Sequence, residues 1–182
     1  MREDIFLSGI GGQGVLLAGQ LLLEAALRAG LQGSGMPAYE PEVRGGETTF
    51  TVVVADGPPG SPLVGRPHNL VLMDAGSVNH YLGRAADEAL VLVNSSLAPP
   101  PEPREGLEVL AIAATDMARE LGSEREANMV MLGALLARRP LFTVDHFIET
   151  MVEGLSERAS AYAETNAAAV RTGWQAAKDA SG

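Results

Sequence analysis

A mostly parallel α/β sheet in three layers, covered by helices and finished by a C-terminal helical layer, is the fold the sequence predicts, and three observations predict it. Short apolar runs such as Ile5-Phe6-Leu7 and Leu70-Val71-Leu72-Met73 have the length and continuous hydrophobicity of buried parallel strands. Helical patterns alternate with these runs as far as Ala111. From Thr115 onward the pattern is helical alone, which places the last helices in a layer of their own.

The elements follow in order. Asp4 to Ser8 reads as the first strand, bounded by glycine, and Gln13 to about Ala29 as a helix with Leu16, Leu23 and Leu27 on one face and Gln20, Glu24 and Arg28 largely on another. Gly30 is placed to stop that helix. Leu31 to Met36 is expected to return as a strand or extended stretch, completing a βαβ unit. Pro37 to Glu47 reads as a loop carrying Arg44-Gly45-Gly46, and the β-branched run Thr48 to Val54 as a strand. Asp56 to Pro67, with three glycines and four prolines, is a connection.

Asn69 to Asp74 is a short buried strand ending in an acid. Gly76 to Ala86 follows as a helix, with Ser77 as a candidate cap and Asp74 as a group that caps it or acts at a site. Ala89 to Val93 and Leu107 to Ala111 are the remaining strands, separated by Asn94-Ser95-Ser96 and the proline-rich surface loop Pro99 to Pro103. The helices of the C-terminal layer are expected near Asp116–Leu121, Glu126–Arg138, Val144–Leu155 and Arg158–Ala177. A chain of 182 residues with 46% hydrophobic residues fits one domain over residues 1–182, and with only 4% aromatic residues its core must be built from Leu, Val, Ile, Met and Ala.

Composition excludes several functions. Without cysteine the chain has no disulfide, no thiolate nucleophile, no Cys-ligated zinc and no iron–sulfur cluster of its own. A formal charge of −10 without a basic run argues against nucleic acid. The longest apolar segment, Val15 to Leu27, is broken by Gln20 and Glu24 and too short to span a bilayer, and Met1-Arg2-Glu3-Asp4 lacks the features of a signal peptide. A cytoplasmic protein without membrane contact is the expectation.

The candidate site is the stretch Gly9-Ile10-Gly11-Gly12-Gln13-Gly14 between the first strand and the first helix. Gly9, Gly11 and Gly14 match the dinucleotide fingerprint in its required strand–turn–helix context. The ribose-binding acid expected about 20 residues on is missing from Leu31 to Ala38, and Glu40 is the nearest candidate. The loop is therefore open to two readings, a phosphate or nucleotide cradle or a structural and subunit-contact turn. Arg44, beside Gly45 and Gly46, suits bidentate capture of a carboxylate or phosphate or pairing with another chain. Asn94 sits where open α/β sheets place ligand groups. Glu40, Glu42 and Glu47 around Arg44 lack the His or Asp spacing of a metal site. His68, His80 and His146 lack triad or ligand spacing, and Ser95 and Ser96 lack a nucleophile elbow. The expectation is no catalytic residue and no metal: a chain that positions a ligand or a neighbour without doing chemistry.

Two loops in this order carry a resemblance. Gly9-Ile10-Gly11-Gly12-Gln13-Gly14-Val15-Leu16-Leu17-Ala18-Gly19 and Pro41-Glu42-Val43-Arg44-Gly45-Gly46, with Ser61-Pro62, Asn69 to Asp74, Asn94-Ser95-Ser96 and Asn128-Met129-Val130-Met131-Leu132-Gly133, resemble the gamma subunit of 2-oxoacid:ferredoxin (acceptor) oxidoreductases from about Asp4 to Gly133. The resemblance implies a subunit of a complex that oxidatively decarboxylates a 2-oxoacid to an acyl-CoA and reduces ferredoxin, the isolated chain being inactive. It implies alpha and beta partners, and a delta ferredoxin-like partner, which hold thiamine diphosphate and the iron–sulfur clusters, while this chain binds no cofactor alone. It also implies that Gly9, Gly11, Gly12, Gln13, Gly14, Arg44, Gly45, Gly46, Asn94 and Asn128 contact CoA or partner chains. A stand-alone Rossmann-like nucleotide-binding protein is the alternative.

Overall fold

Six strands, β1 (Arg2–Ile10), β2 (Gln32–Tyr39), β3 (Glu47–Ala55), β4 (Asn69–Leu72), β5 (Ala89–Asn94) and β6 (Leu107–Ile112), form one sheet in the order β2-β3-β1-β4-β5-β6. The computed structural model describes residues 1–39, 46–154 and 162–180. β1, β4, β5 and β6 are parallel, while β3 runs antiparallel to both β1 and β2. The sheet is mostly parallel, as expected, but β2 does not return beside β1. β3 is inserted between them, and β2 lies at the edge, extending through Pro37 to Tyr39 where the sequence reads as a loop. An edge position is where a strand tolerates proline, because the missing N–H removes no bond to a further strand.

Helices α1 (Val15–Arg28), α4 (Ala127–Arg138), α5 (Val144–Gly154) and α6 (Ala163–Asp179) cover one face of the sheet. The much shorter α2 (Ala75–Tyr81) covers the centre of the other, and α3 (Ala114–Glu120) follows β6. Strand alternation divides the core accordingly. Ile5, Leu7, Phe50, Val52, Val71, Leu90 and Leu92 face α1 and α4. Leu70, Leu72, Val91 and Val93 face the α2 side with Val78 and Ala85.

Helix α1 buries Val15, Ala18, Gly19, Leu21, Leu22, Ala25 and Ala26. The leucine stripe expected from the sequence is corrected: Leu27 is exposed and Leu16 and Leu23 only half-buried. Gly19 lies in the buried row because the helix sits there directly on Phe50, whose ring fills the space that a side chain at Gly19, or at Gly35 of β2, would need. The helix stops where expected. Gly30, at φ +82°, donates to the Leu27 carbonyl and Leu31 to the Ala26 carbonyl, a Schellman closure.

The cap of α2 is Asp74, whose Oδ1 accepts from the Ser77 backbone N–H at 3.0 Å; Ser77 is inside the helix and not its cap. A carboxylate there also meets the positive end of the helix. In the C-terminal layer, α4 and α6 cross backbone to backbone at Gly133 and Gly173. A Cβ on Gly133 would overlap the Val170 carbonyl oxygen, and one on Gly173 the Val130 carbonyl oxygen. At the amino ends of the strands, buried Asp4 is compensated by the His68 backbone N–H at 2.7 Å and by His68 Nδ1 at 2.9 Å.

Candidate functional site at the carboxyl end of the sheet

The glycine loop leaves β1 at its carboxyl end and enters α1 through Gly14, at φ +72°, with Gly12 at φ +99°. Both angles lie in the left-handed region that L side chains rarely adopt, so the turn is built on glycine by necessity. Several of its amides are spent inside the protein. Ile10 N–H donates to Gln13 Oε1 at 2.8 Å, Gln13 N–H to the Ile10 carbonyl at 3.2 Å, and Gly11 N–H to the Gly46 carbonyl at 3.1 Å. The folded-back Gln13 side chain occupies the space over Gly9, where a Cβ would also meet Val15 and Met73. This explains the first glycine as a packing requirement.

Gly14 is fixed from the far side of the chain. Asn128 Nδ2 donates to the Gly14 carbonyl at 3.2 Å, and Asn128 Oδ1 accepts from the Met129 N–H at 3.0 Å. The Asn128 amide fills the space that a Cβ on Gly14 would take. Loop and α4 are thereby joined.

A cleft of about 290 Å³ opens beside the loop, lined by Gly12, Gln13, Met73, Leu97, Thr115, Glu124, Arg125 and Ala127. Because Gln13 Oε1 is used by Ile10, its NH₂ group is left for this cleft. Arg125 makes no ion pair among the described residues. At the rim, the hydrogen bonds that Arg119 donates to Glu124 and then to Asp116 hold its guanidinium above the usual range. Exposed Ile10, Leu17 and Leu97 border the loop and cleft with apolar surface.

Asn94 is at the carboxyl end of β5 as expected, but fully buried. Its Nδ2 donates to the Met73 carbonyl at 3.1 Å and to Thr115 Oγ1 at 2.9 Å, and its Oδ1 accepts from the Thr115 N–H at 3.3 Å. It therefore ties the ends of β4 and β5 to the start of α3 and supports the cleft through Thr115. Behind the loop, Ser8 Oγ donates to Ser77 Oγ at 2.9 Å, and Ser77 Oγ to Asp74 Oδ2 at 3.3 Å; both serines are buried. Ser77 and Asp74 thus brace the floor of the site.

The structure brings Gly9, Gly11, Gly12, Gln13, Gly14, Gly46 and Asn128 together, and Asn94 beneath them. Arg44 and Gly45, like Glu40 and Glu42, lie outside the described residues. Thr115 and Arg125 escaped the sequence reading. Thr115 carried a weak signal, lying shortly after the end of β6 at Ile112; Arg125, between Glu124 and Glu126, reads as part of an ordinary solvated turn. The three histidines are apart: His68 at the amino end of the sheet, His80 with Nδ1 3.3 Å from Glu47, and His146 with Nε2 2.9 Å from the Ala25 carbonyl. Among the described residues no helix is long and apolar enough to cross a membrane, and no cluster of three His, Asp or Glu residues could hold a metal.

This architecture has known counterparts. The chain is 31% identical over 182 residues to the 2-oxoglutarate synthase subunit KorC of Methanocaldococcus jannaschii, covering 98% of this chain and 96% of that one. It is 37% identical over 131 residues to the ketoisovalerate oxidoreductase subunit VorA of Methanothermobacter marburgensis, covering 72% of this chain but only 27% of VorA. The crystal structure of the keto/oxoacid ferredoxin oxidoreductase gamma subunit of Geobacter sulfurreducens superposes with a TM-score of 0.85 at 28% identity, covering 99% of this chain and 98% of that one. Residues 4–176 match the family described as pyruvate ferredoxin/flavodoxin oxidoreductase, and the chain belongs to that family.

Proposed function

We propose that this chain is the gamma component of a 2-oxoacid:ferredoxin oxidoreductase, with 2-oxoglutarate or a broader set of 2-oxoacids as substrate. The assembly oxidatively decarboxylates the acid to an acyl-CoA and passes the electrons to ferredoxin. The observation that carries this reading is the carboxyl-end surface: a glycine loop whose Ile10, Gly11 and Gln13 amides are spent internally, bordered by exposed Ile10, Leu17 and Leu97. Such a surface is suited to meet another chain, and it has fewer amides left for a dinucleotide pyrophosphate than an unpaired glycine loop offers. The extent of likeness to KorC supports the same reading.

Without cysteine, the donor set of this chain does not fit an iron–sulfur cluster, and no step through a cluster or thiamine diphosphate is assigned to its residues. Those groups belong, in this reading, to alpha, beta and delta ferredoxin-like partners in the cytoplasm. The Gln13 NH₂ group and the Arg125 guanidinium do fit a CoA phosphate or a partner carboxylate, since both donate and one is charged. In this reading Arg44, Gly45 and Gly46 also serve contact with CoA or a partner chain.

Reconstitution tests the proposal. Adding the chain to matching alpha and beta chains is expected to restore CoA- and thiamine-dependent reduction of ferredoxin by a 2-oxoacid, the chain alone being inactive. An alpha–beta pair that is fully active and never binds this chain overturns it.

A further inference from the structure

On the side of the sheet away from α1, the connection between Asp56 and Pro67 passes over β2 and β3 and is tied down where Ser34 Oγ donates to the Gly60 carbonyl at 3.0 Å. Between its Pro62 to Gly65 segment and the sheet lies a groove of about 410 Å³, inside the range of small-molecule sites, about 300–1,000 Å³. Two cross-strand rows make its floor. Met36 pairs with Thr51 and Thr51 with Phe6, while Ala38 pairs with Thr49 and Thr49 with Ser8, so alternate residues of three strands share this face.

Arg84 stands in the wall of the groove. Its guanidinium carbon lies 5.2 Å from the Phe6 ring centroid and 5.3 Å from that of Tyr81. Nη2 donates to the Val64 carbonyl at 3.2 Å and Nε, more weakly, to the Gly65 carbonyl at 3.5 Å. Rings and backbone therefore hold the cation in place before anything binds. Those contacts use the Nε hydrogen and one on Nη2. They leave the Nη1 hydrogens and the second on Nη2, the edge at which a guanidinium takes both oxygens of a carboxylate.

That edge is not spent within the chain, because Arg84 makes no ion pair among the described residues. The sequence carries 23 Asp and Glu against 13 Lys and Arg, yet no acid lines this groove. The floor adds further donors. Thr49 and Thr51 make no side-chain hydrogen bond among the described residues, and Thr51, paired with Phe6, stands next to the ring over which Arg84 lies. Met36, Ala38, Pro62, Leu63 and Val64 supply apolar walls.

We propose that this groove binds a small organic monocarboxylate with an apolar body. Its two oxygens meet the free edge of Arg84, one of them also accepts from Thr51, and its hydrocarbon part lies between Met36 and the Pro62 to Val64 roof. A phosphate ester fits less well, since a second negative charge would enter apolar walls with no second cation to meet it. The site is distinct from the glycine-loop cleft, which other residues line, and no other chain is needed to complete it.

Calorimetric titration of the full chain with phenylacetate and with hexanoate is the test, with phenylacetamide as the uncharged match in shape. At least one of the two carboxylates is expected to bind with a Kd of about 1 mM or tighter. Phenylacetamide is expected to bind at least about tenfold more weakly than phenylacetate, and Arg84→Gln to weaken carboxylate binding at least about tenfold, because hydrogen bonds to a charged group are the strong ones. Arg84→Gln also removes the contact to Val64. Thr51→Val keeps that brace and the shape of the floor while removing one hydroxyl, and is expected to weaken binding several-fold with an unchanged melting curve. Binding of neither carboxylate up to about 10 mM overturns the proposal. Equal affinities for phenylacetate and phenylacetamide, or wild-type affinity in both variants, overturn it too. Loss of binding with Arg125→Gln but not with Arg84→Gln would place the ligand in the glycine-loop cleft and overturns it as well.

Discussion

Asn128 Nδ2 donates to the carbonyl oxygen of Gly14 across 114 residues of sequence, and it does so from the volume that any side chain at Gly14 would require. One amide therefore fixes the entry of α1 against the start of α4 and keeps position 14 free of a Cβ. Asn128→Ala is expected to cost about 1–3 kcal/mol, the range for losing a partly buried polar pair. Gly14→Ala is expected to cost about as much or more, from both strain at φ +72° and overlap with Asn128. Part of that cost is overlap alone, so the double variant should be less destabilised than the sum of the singles, which a urea-denaturation cycle measures.

Gly133→Ala is expected to destabilise the protein by about 2 kcal/mol or more, because the new methyl meets a backbone oxygen of α6 that cannot rotate away. Gly12→Ala has open space around it and meets only backbone strain at φ +99°, so its cost should be smaller. Thermal melts of the two variants decide the order.

Titration with NAD, NADP, FAD and ATP is expected to show no binding tighter than about millimolar, corresponding to about −4 kcal/mol. The Gln13 side chain and the Gly46 carbonyl already take loop N–H groups that a pyrophosphate would need. Micromolar binding by calorimetry to the isolated chain would contradict this account of the loop.

Arg44→Ala is expected to weaken assembly with the partner chains, or the CoA dependence of the assembled enzyme, while leaving the melting temperature of the isolated chain unchanged. Unchanged assembly together with an unchanged KM for CoA would remove its proposed role.

Most strands were readable because each is a short apolar run cut off by glycine, proline or acid, and β4 and β5 are buried from end to end. Strand direction was not readable. The run Thr48 to Val54 has the same residues whether it lies parallel or antiparallel, and only pairing shows that β3 enters between β1 and β2. The buried row of α1 was misread for a related reason. Nearly every position of Val15 to Leu27 is apolar, so leucine periodicity could not reveal that Phe50 selects the row with Gly19. In the site, the glycines and Gln13 were legible as local motif, whereas Thr115 and Arg125 reach the cleft only through tertiary placement.

The α4–α6 crossing has a mechanical consequence. With Gly133 against the α6 backbone at Val170 and Gly173 against the α4 backbone at Val130, the two helices have no layer of flexible side chains at their crossing to absorb a push. Asn128 stands near the start of the same α4 and grips Gly14. A load applied at the glycine loop would therefore pass along α4 into α6 as through a stiff strut, with α6 as the abutment of a surface built from the first strand and helix.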